Sequence, residues 1–438
     1  MKLTVFQSAE GDCLLVTGKD GKNMLVDGGM GHSYTNHVAP ALGKLRDEGK
    51  KLDLVYVSHI DEDHISGVLK MVDDLVDWRV HDFHVQNGQP NHKPPKSVRP
   101  PEIAGIWHNS FRALVDDNAG PIESLLAATA AVLSGADDPE LREAAEEHRE
   151  LATSTTQALK LSRRIGDKQL KIPLNKPYKR KLMMVRAGMP KQISFGGIKV
   201  RVLGPTATDL DVLRRDWNKW LDTVEGQKAV VNLEKASQDD ESILGNAVPN
   251  LLGDFASVAA SLAIELKKIG DRGEVTPPNL ASLMVLLTEA GKTVLLTGDG
   301  HWDDILKGLK HHNLPGADGM HFNVLKAQHH GALANFHPDF CRQVIADHYI
   351  FCGNGSHDNP EVDVIKMVVN SRVGPAGKRS THPKVNDPFT LWFNSSSKIS
   401  AVPAHMKKVE TLVKSLVGKH PGKITFRFLE QSHFELTV

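Results

Sequence analysis

One hexapeptide constrains this chain more than any other feature. Residues 52–58 (LDLVYVS) are an apolar run of the length and type that becomes a buried strand, and residues 59–64 (HIDEDH) follow with no spacer. Helical spacing of apolar side chains begins at once over 65–75. A strand that ends in an acidic turn and passes straight into a helix belongs to a layered α/β sheet. Such folds gather ligands and reacting groups at the C-terminal ends of their strands. Within the turn, His59, Asp61, Asp63 and His64 offer imidazole and carboxylate donors of the kind a divalent metal takes. Acids in the first turn of a helix also favour its positive end. That explains Asp61, Glu62 and Asp63 but leaves the two flanking histidines without a reason.

The same strand-then-turn pattern recurs along the chain. Short apolar runs at 3–5, 14–16 and 24–26 are broken by Gly-Asp and Gly-Lys-Asp-Gly-Lys turns, predicting a hairpin-rich sheet, and a helix is expected over 37–45. From 110 to 168 the composition turns Ala-, Glu- and Leu-rich with helical spacing, which predicts a helical insertion. A basic, proline-punctuated stretch follows at 171–191. Strand signals return at 193–205, with helices expected over 209–220 and 255–268. Residues 282–300 (SLMVLLTEAGKTVLLTGDG) read as a hairpin ending on Gly298-Asp299. Residues 323–334 are a strand ending in His329-His330, and 348–368 repeat the order strand, polar loop, helix.

Bulk properties narrow the classes of partner. Over 438 residues the cationic and anionic side chains balance at 53 each, so there is no global basic field and a nucleic acid must be held by local patches. Aromatics at 5% argue against a broad base-stacking platform. Three cysteines without a CxxC pair exclude a disulfide framework or a thiolate zinc site and fit a reducing cytoplasm. The N-terminus reads as a strand rather than a leader, and no apolar run is long enough to span a bilayer, so no membrane partner is expected.

Taken in order, these motifs resemble the metallo-β-lactamase-fold hydrolases. HIDEDHISG is similar to their HxHxDH signature, with Asp61 in place of the second histidine, a variant of the ComEC-type branch. Glu10-Gly11-Asp12 resembles the early Gly-Asp turn, and residues 25–29 (LVDGG) the Asp-Gly-Gly after the second hairpin. Residues 198–205, Asn279 with Ser282, LLTGD, LKAQHHG and GNGSHDNPE (with His357) resemble later motifs of this branch. The resemblance implies an αββα four-layer sandwich: a first half over 1–109, the helical insertion and basic segment over 110–190, a second half over 191–385, and a C-terminal extension over 386–438 packing on the fold. It also implies two divalent ions, Zn²⁺ or Mn²⁺. His59, Asp61 and His108 would hold one, Asp63, His64 and one of His329 and His330 the other, with Asp299 bridging. His108 is the choice for the third motif, with His81, His84 and His92 as rivals.

The implied reaction is metal-assisted hydrolysis of a phosphodiester, most naturally DNA, with His329, His330 and His357 as candidates for contacting phosphate or protonating a leaving group. Residues 176–181 (KPYKRK), with Lys176, Lys179, Arg180 and Lys181 around Tyr178, are the basic segment chosen for backbone contact. Residues 93–99 and Lys378, Arg379 and Lys384 are further basic candidates. The alternatives are a phosphodiesterase of cyclic nucleotides or other small phosphoesters, and a non-catalytic metal-binding interaction protein. The insertion is a candidate lid, protomer interface or docking site for a regulatory protein.

Overall fold

The central strands of the chain are apolar on both faces, and the architecture follows from that. In β4 (Leu54–Val57), Leu54 and Tyr56 join one hydrophobic cluster while Val55 and Val57 join another on the opposite face. Strands β8 (Met284–Glu289) and β9 (Lys292–Leu296) divide in the same way, with Val285, Leu287, Val294 and Leu296 on the face they share with Leu54 and Tyr56. A side-chain period of two with both faces buried requires two sheets packed face to face, each covered outside by helices. In the computed structural model this is an αββα four-layer sandwich. The structure describes residues 1–89, 91–109, 157–158, 160–207, 281–314, 316 and 318–438. Most of the expected helical insertion, the expected helices over 209–220 and 255–268, and Asn279 lie outside the described residues.

The first sheet runs in the order β14-β1-β2-β3-β4-β5. Its members are β1 (Lys2–Phe6), β2 (Leu14–Thr17), β3 (Asn23–Val26), β4, β5 (Ile106–His108) and β14 (His433–Thr437). Pairing is antiparallel from β14 to β3 and parallel from β3 to β5. The second sheet runs β13-β12-β11-β10-β9-β8-β7-β6. It contains β6 (Ile193–Phe195), β7 (Ile198–Gly204), β8, β9, β10 (Met320–Lys326), β11 (Val344–Phe351), β12 (Phe389–Phe393) and β13 (Ile424–Phe428). The hairpin between β8 and β9 turns on Ala290 and Gly291, both at positive φ, as a tight two-residue connection demands.

Helices α1 (Ala39–Asp47) and α2 (Glu62–Gln86) cover the outer face of the first sheet, burying Leu42, Ile65, Val68 and Val72 against Val55 and Val57. Helices α3 (Trp302–His311), α4 (Pro338–Gln343), α5 (Val362–Val373) and α6 (Pro403–Lys419) cover the second. Each Val or Leu sealed in these layers contributes about 1.5–3 kcal/mol. Helix α2 continues past the expected 65–75 to Gln86, its last turns largely exposed.

Residues 386–438 are more than an extension packed on the fold. They supply β12 and β13 at one edge of the second sheet and β14, which pairs with β1 at the edge of the first. The last strand therefore closes the sandwich onto the first. Cys13, Cys341 and Cys352 are all buried and unpaired. Among the described residues no helix is long and apolar enough to cross a membrane.

Candidate metal centre

Strand ends from both sheets deliver the site. The turn after β4 carries His59, Asp61, Asp63 and His64; the end of β5 carries His108; the turn after β9 carries Asp299; and the turn after β10 carries His329 and His330. Asp61 stands at the N-cap of α2, yet its carboxylate makes no capping hydrogen bond and lies 3.4 Å from His59 Nε2. A plain helix-start role would turn it the other way, toward the free N–H groups. Close approach keeps this turn in place. A Cβ on Gly11 would lie 1.7 Å from the Asp63 carbonyl oxygen, and one on Gly28 would lie 2.2 Å from the Val68 nitrogen. The Gly-Asp and Asp-Gly-Gly turns of the sequence are thus the floor on which residues 59–68 rest.

The paired histidines sit on a strained turn: His329, His330 and Gly331 are consecutive left-handed residues at φ 43°, 55° and 95°. Two non-glycine residues in that region cost of order 1–3 kcal/mol each, a strain that clusters at functional turns. Asn335 helps hold the turn, donating from Nδ2 to the Asp299 carbonyl while its Oδ1 lies 2.7 Å from His329 Nδ1.

Four imidazoles aim at one carboxylate oxygen. Asp299 Oδ2 lies 3.3 Å from His330 Nε2, 3.4 Å from His64 Nε2, 3.7 Å from His59 Nε2 and 3.8 Å from His329 Nε2. On every ring the opposite nitrogen has an outward partner. His59 Nδ1 meets Ser58 Oγ at 2.9 Å, His64 Nδ1 meets Asp27 Oδ2 at 3.1 Å, and His330 Nδ1 meets Asp12 Oδ1 at 3.2 Å. His329 Nδ1 faces Asn335, as above. Hydrogen bonds of this kind on His59, His64 and His329 fix ring orientation and tautomer and leave Nε2 facing inward, the arrangement metal-binding histidines use. On His330 the Asp12 carboxylate is an ion-pair neighbour without hydrogen-bond geometry. Asp63 Oδ2 completes the inner ring at 2.9 Å from His330 Nε2. Ser282 Oγ accepts from the Asp299 N–H, giving that expected turn residue a positioning role.

His108 is fully buried, and neither ring nitrogen has a hydrogen-bond partner. Its backbone is clamped by Asn175, which accepts from the His108 N–H and donates to its carbonyl. Burial, reinforced by the neighbouring His59, lowers its pKa to about 3, so the ring stays neutral and able to bind a metal. The rivals His81, His84 and His92 lie together at the far end of α2, at or near the surface, and touch none of these residues. His357 is exposed on the loop whose Gly353 backs onto His330, and the structure does not bring it into the cluster.

The residues fit divalent cations. His59 Nε2, both His108 nitrogens and Asp299 Oδ1 are buried without a hydrogen-bond partner, a costly state unless something else satisfies them. One donor atom each from Asp12, His64, Asp299 and His330 lies within 4.8 Å of the others. The carboxylates of Asp12, Asp27, Asp61, Asp63 and Asp299 converge here against one buried ammonium, Lys326, an excess of negative charge that calls for cations. Protons meet part of that demand. Burial would lower His64 and His330, but the carboxylates around them outweigh it and hold both well above the ordinary histidine value. Burial would likewise raise Asp299, but His330, His64, His329 and His59 together hold it well below the ordinary carboxylate range.

Two participants are not legible as such in the sequence. Asp12 was visible only as part of a turn, yet it pairs with both His330 and Lys326. The Lys326 ammonium also donates to the Gly298 carbonyl and lies 3.6 Å from Asp299 Oδ1, bracing two carboxylates. A lysine at the end of an apolar strand, three residues before paired histidines, was the available signal.

The basic segment chosen for backbone contact divides between surface and core. Lys176, Lys179, Arg180 and Lys181 are exposed, but Tyr178 is buried between the sheets and its ring is unavailable for stacking on a base. Of the other basic candidates, Arg99 is engaged with Asp82 and lies over the Trp78 ring.

No match was found among curated proteins. Residues 9–122, which carry the Gly-Asp turn, the 59–64 motif and His108, match the family model of the metallo-beta-lactamase superfamily, a class of metal-dependent hydrolases.

Proposed function

We propose that this chain is a metal-dependent phosphodiesterase of nucleic acid, acting on DNA at the cluster around Asp299. The observation that carries this reading is the common aim of four Nε2 atoms at one carboxylate oxygen, each ring held from behind. We assign His59, Asp61 and His108 to one ion, Asp63, His64 and His330 to a second, and Asp299 to both. A carboxylate at position 61, where an imidazole would be softer, favours Mn²⁺ beside Zn²⁺. Bound ions would supply an activated water near neutral pH and counter-charge for a phosphoryl group.

The chain's own residues supply orientation and the second proton transfer. Asp27, Ser58 and Asp12 keep the rings of His64, His59 and His330 from rotating. The buried floor formed by His59, His64 and His108 excludes bulk water and strengthens every charge interaction above it. His329 is about a quarter exposed, and Asn335 fixes its Nδ1. In its imidazolium form, with the Nδ1–H donated to Asn335 Oδ1, it would present an Nε2–H to protonate the departing oxygen.

The test is hydrolysis of bis(p-nitrophenyl) phosphate, single-stranded DNA, plasmid, RNA and cyclic dinucleotides by metal-stripped protein reloaded with Mn²⁺ or Zn²⁺. Turnover of DNA that disappears with chelator supports the reading. Turnover of cyclic dinucleotides alone would replace it with a small-substrate phosphodiesterase. Two bound ions with no turnover of any phosphodiester would make the site a non-catalytic one.

A further inference from the structure

A second basic surface, apart in sequence from residues 176–181, lies on the helices that cover the second sheet. Helices α5 and α6 enclose a shallow cleft of about 530 Å³ lined by Val362, Lys366, Ala404, Lys407, Lys408 and Thr411 among others, with no carboxylate in its lining. Residues 404, 407, 408 and 411 fall on one face of α6 at helical spacing, so their side chains form a continuous strip. Lys366, Lys407 and Lys408 are exposed. Lys366 pairs with the neighbouring Asp363 at 2.8 Å. Neither Lys407 nor Lys408 has a carboxylate within ion-pair distance among the described residues. Glu410, the acid that feels Lys407, is buried and accepts from the Ser397 N–H. In a chain whose charges otherwise balance, this is a local excess of cation on a concave surface.

The cleft is tied to the histidine turn. The Glu361 N–H donates to the Gly331 carbonyl, and its carboxylate accepts from the Leu333 N–H. Since Val362 follows Glu361 and Gly331 follows His330, bond lengths put Val362, which lines the cleft, no more than about 15 Å from His330. On the other wall, buried His405 of α6 bonds the Pro360 carbonyl and lies 3.1 Å from Asp358. The loop that leads into α5 and borders the cleft is therefore hydrogen-bonded both to the histidine turn and to α6.

We infer that the α5–α6 cleft is a track for the phosphate backbone of a polynucleotide, which continues beyond the phosphodiester held at the metal centre. This rests on the proposed phosphodiester chemistry for its choice of occupant. Charge is complementary, the wall offers no aromatic for base reading, and one lining residue, Val362, lies within reach of the histidine turn along a single hydrogen bond. A cyclic nucleotide is too short to reach both places.

The experiment is fluorescence anisotropy with labelled 30-nucleotide single strands and duplexes in EDTA, where no hydrolysis occurs. Wild type is compared with the Lys366→Glu, Lys407→Glu, Lys408→Glu triple variant and with the matching Gln triple, both checked for an unchanged thermal melt. Each lost phosphate contact removes about 0.7–0.9 from the log–log salt slope. The Glu triple is expected to weaken binding at least about tenfold and to flatten the slope by about two, with the Gln triple between. Equal affinity and slope in all three proteins would overturn the inference. So would loss of binding to anionic phospholipid vesicles with DNA binding intact. Wild type that binds DNA through these lysines but cleaves no phosphodiester with Mn²⁺ or Zn²⁺ supports the track and overturns the proposed reaction. Metal-dependent cleavage with binding indifferent to the lysines does the reverse.

Discussion

The two ends of α2 carry two groups of histidines that look alike in the sequence and differ in every physical respect. At the N-terminal end His59 and His64 are buried, tied through Nδ1 to Ser58 and Asp27, and directed through Nε2 at Asp299. At the other end, roughly 37 Å along the helix axis, His81, His84 and His92 are at or near the surface and contact each other. His81 Nδ1 meets His92 Nδ1 at 3.1 Å, and the His84 and His92 rings stack at 4.4 Å. Three imidazoles close together do not make a metal centre when water solvates them and no shared carboxylate gathers them. Buried rings, outward partners and a common anion are what such a centre requires, and the first group has them. At the first end, one donor atom each from Asp12, His64, Asp299 and His330 lies within 4.8 Å of the others.

The comparison breaks most readily at Asp299. Asp299→Asn removes the charge that four imidazoles share, and metal-dependent hydrolysis is expected to fall by about a thousandfold or more. Steady-state rates on bis(p-nitrophenyl) phosphate check this. His84→Ala with His92→Ala, at the other end of the helix, should leave the rate and the metal content unchanged. A comparable loss in both variants would erase the distinction drawn between the two groups.

Lys326→Met is expected to cost about 3–5 kcal/mol of stability in metal-free protein, because it leaves Asp12 and Asp299 buried without their ammonium. Urea denaturation in EDTA measures it. A cost below about 1 kcal/mol would mean that the lysine is not the counter-charge described here.

Asp27→Asn keeps the shape of the outward partner of His64 and removes its charge. Affinity for the ion beside His64 should fall by about 10–100-fold with the fold intact, as read by competition with a chromogenic chelator. An unchanged affinity would demote the outward partners from orienting groups to packing.

The smallest expected effect is on pH. His64 and His330 are held above the ordinary histidine value by their carboxylates, so each binds a proton that an incoming cation must displace. Raised pKa values extend this competition above pH 6.5. Metal affinity should therefore keep rising with pH through and beyond 6.5, with protons released on binding. Calorimetry in buffers of different ionisation enthalpy counts them. Affinity that levels off below pH 6.5 would contradict the shifts.

Much of the site was legible because its residues sit in short motifs at strand ends: 59–64, Gly298-Asp299 and His329-His330 each announce themselves locally. His108 was legible only as one of several histidines; it is distinguished by burial and by the Asn175 clamp, which joins positions 67 residues apart. Asp12 and Lys326 meet across more than 300 residues, and no local pattern records such a pair. The family resemblance implied the four layers, and the pattern of short apolar runs and turns forecast the strands. It could not assign the last residues to the edges of both sheets, since pairing of β14 with β1 is a matter of topology. Burial of Tyr178 was not legible for the same reason: it stands among four exposed cations in the sequence, and its ring joins the core shared by the two sheets.

Anomalous scattering from crystals loaded with Mn²⁺ tests the central claim most directly. The account predicts peaks beside Asp299 Oδ2, within coordination distance of Nε2 of His64 and His330 and of Nε2 of His59. Manganese confined to the His81, His84 and His92 group, or absent from the surroundings of Asp299 at saturating metal, would contradict it.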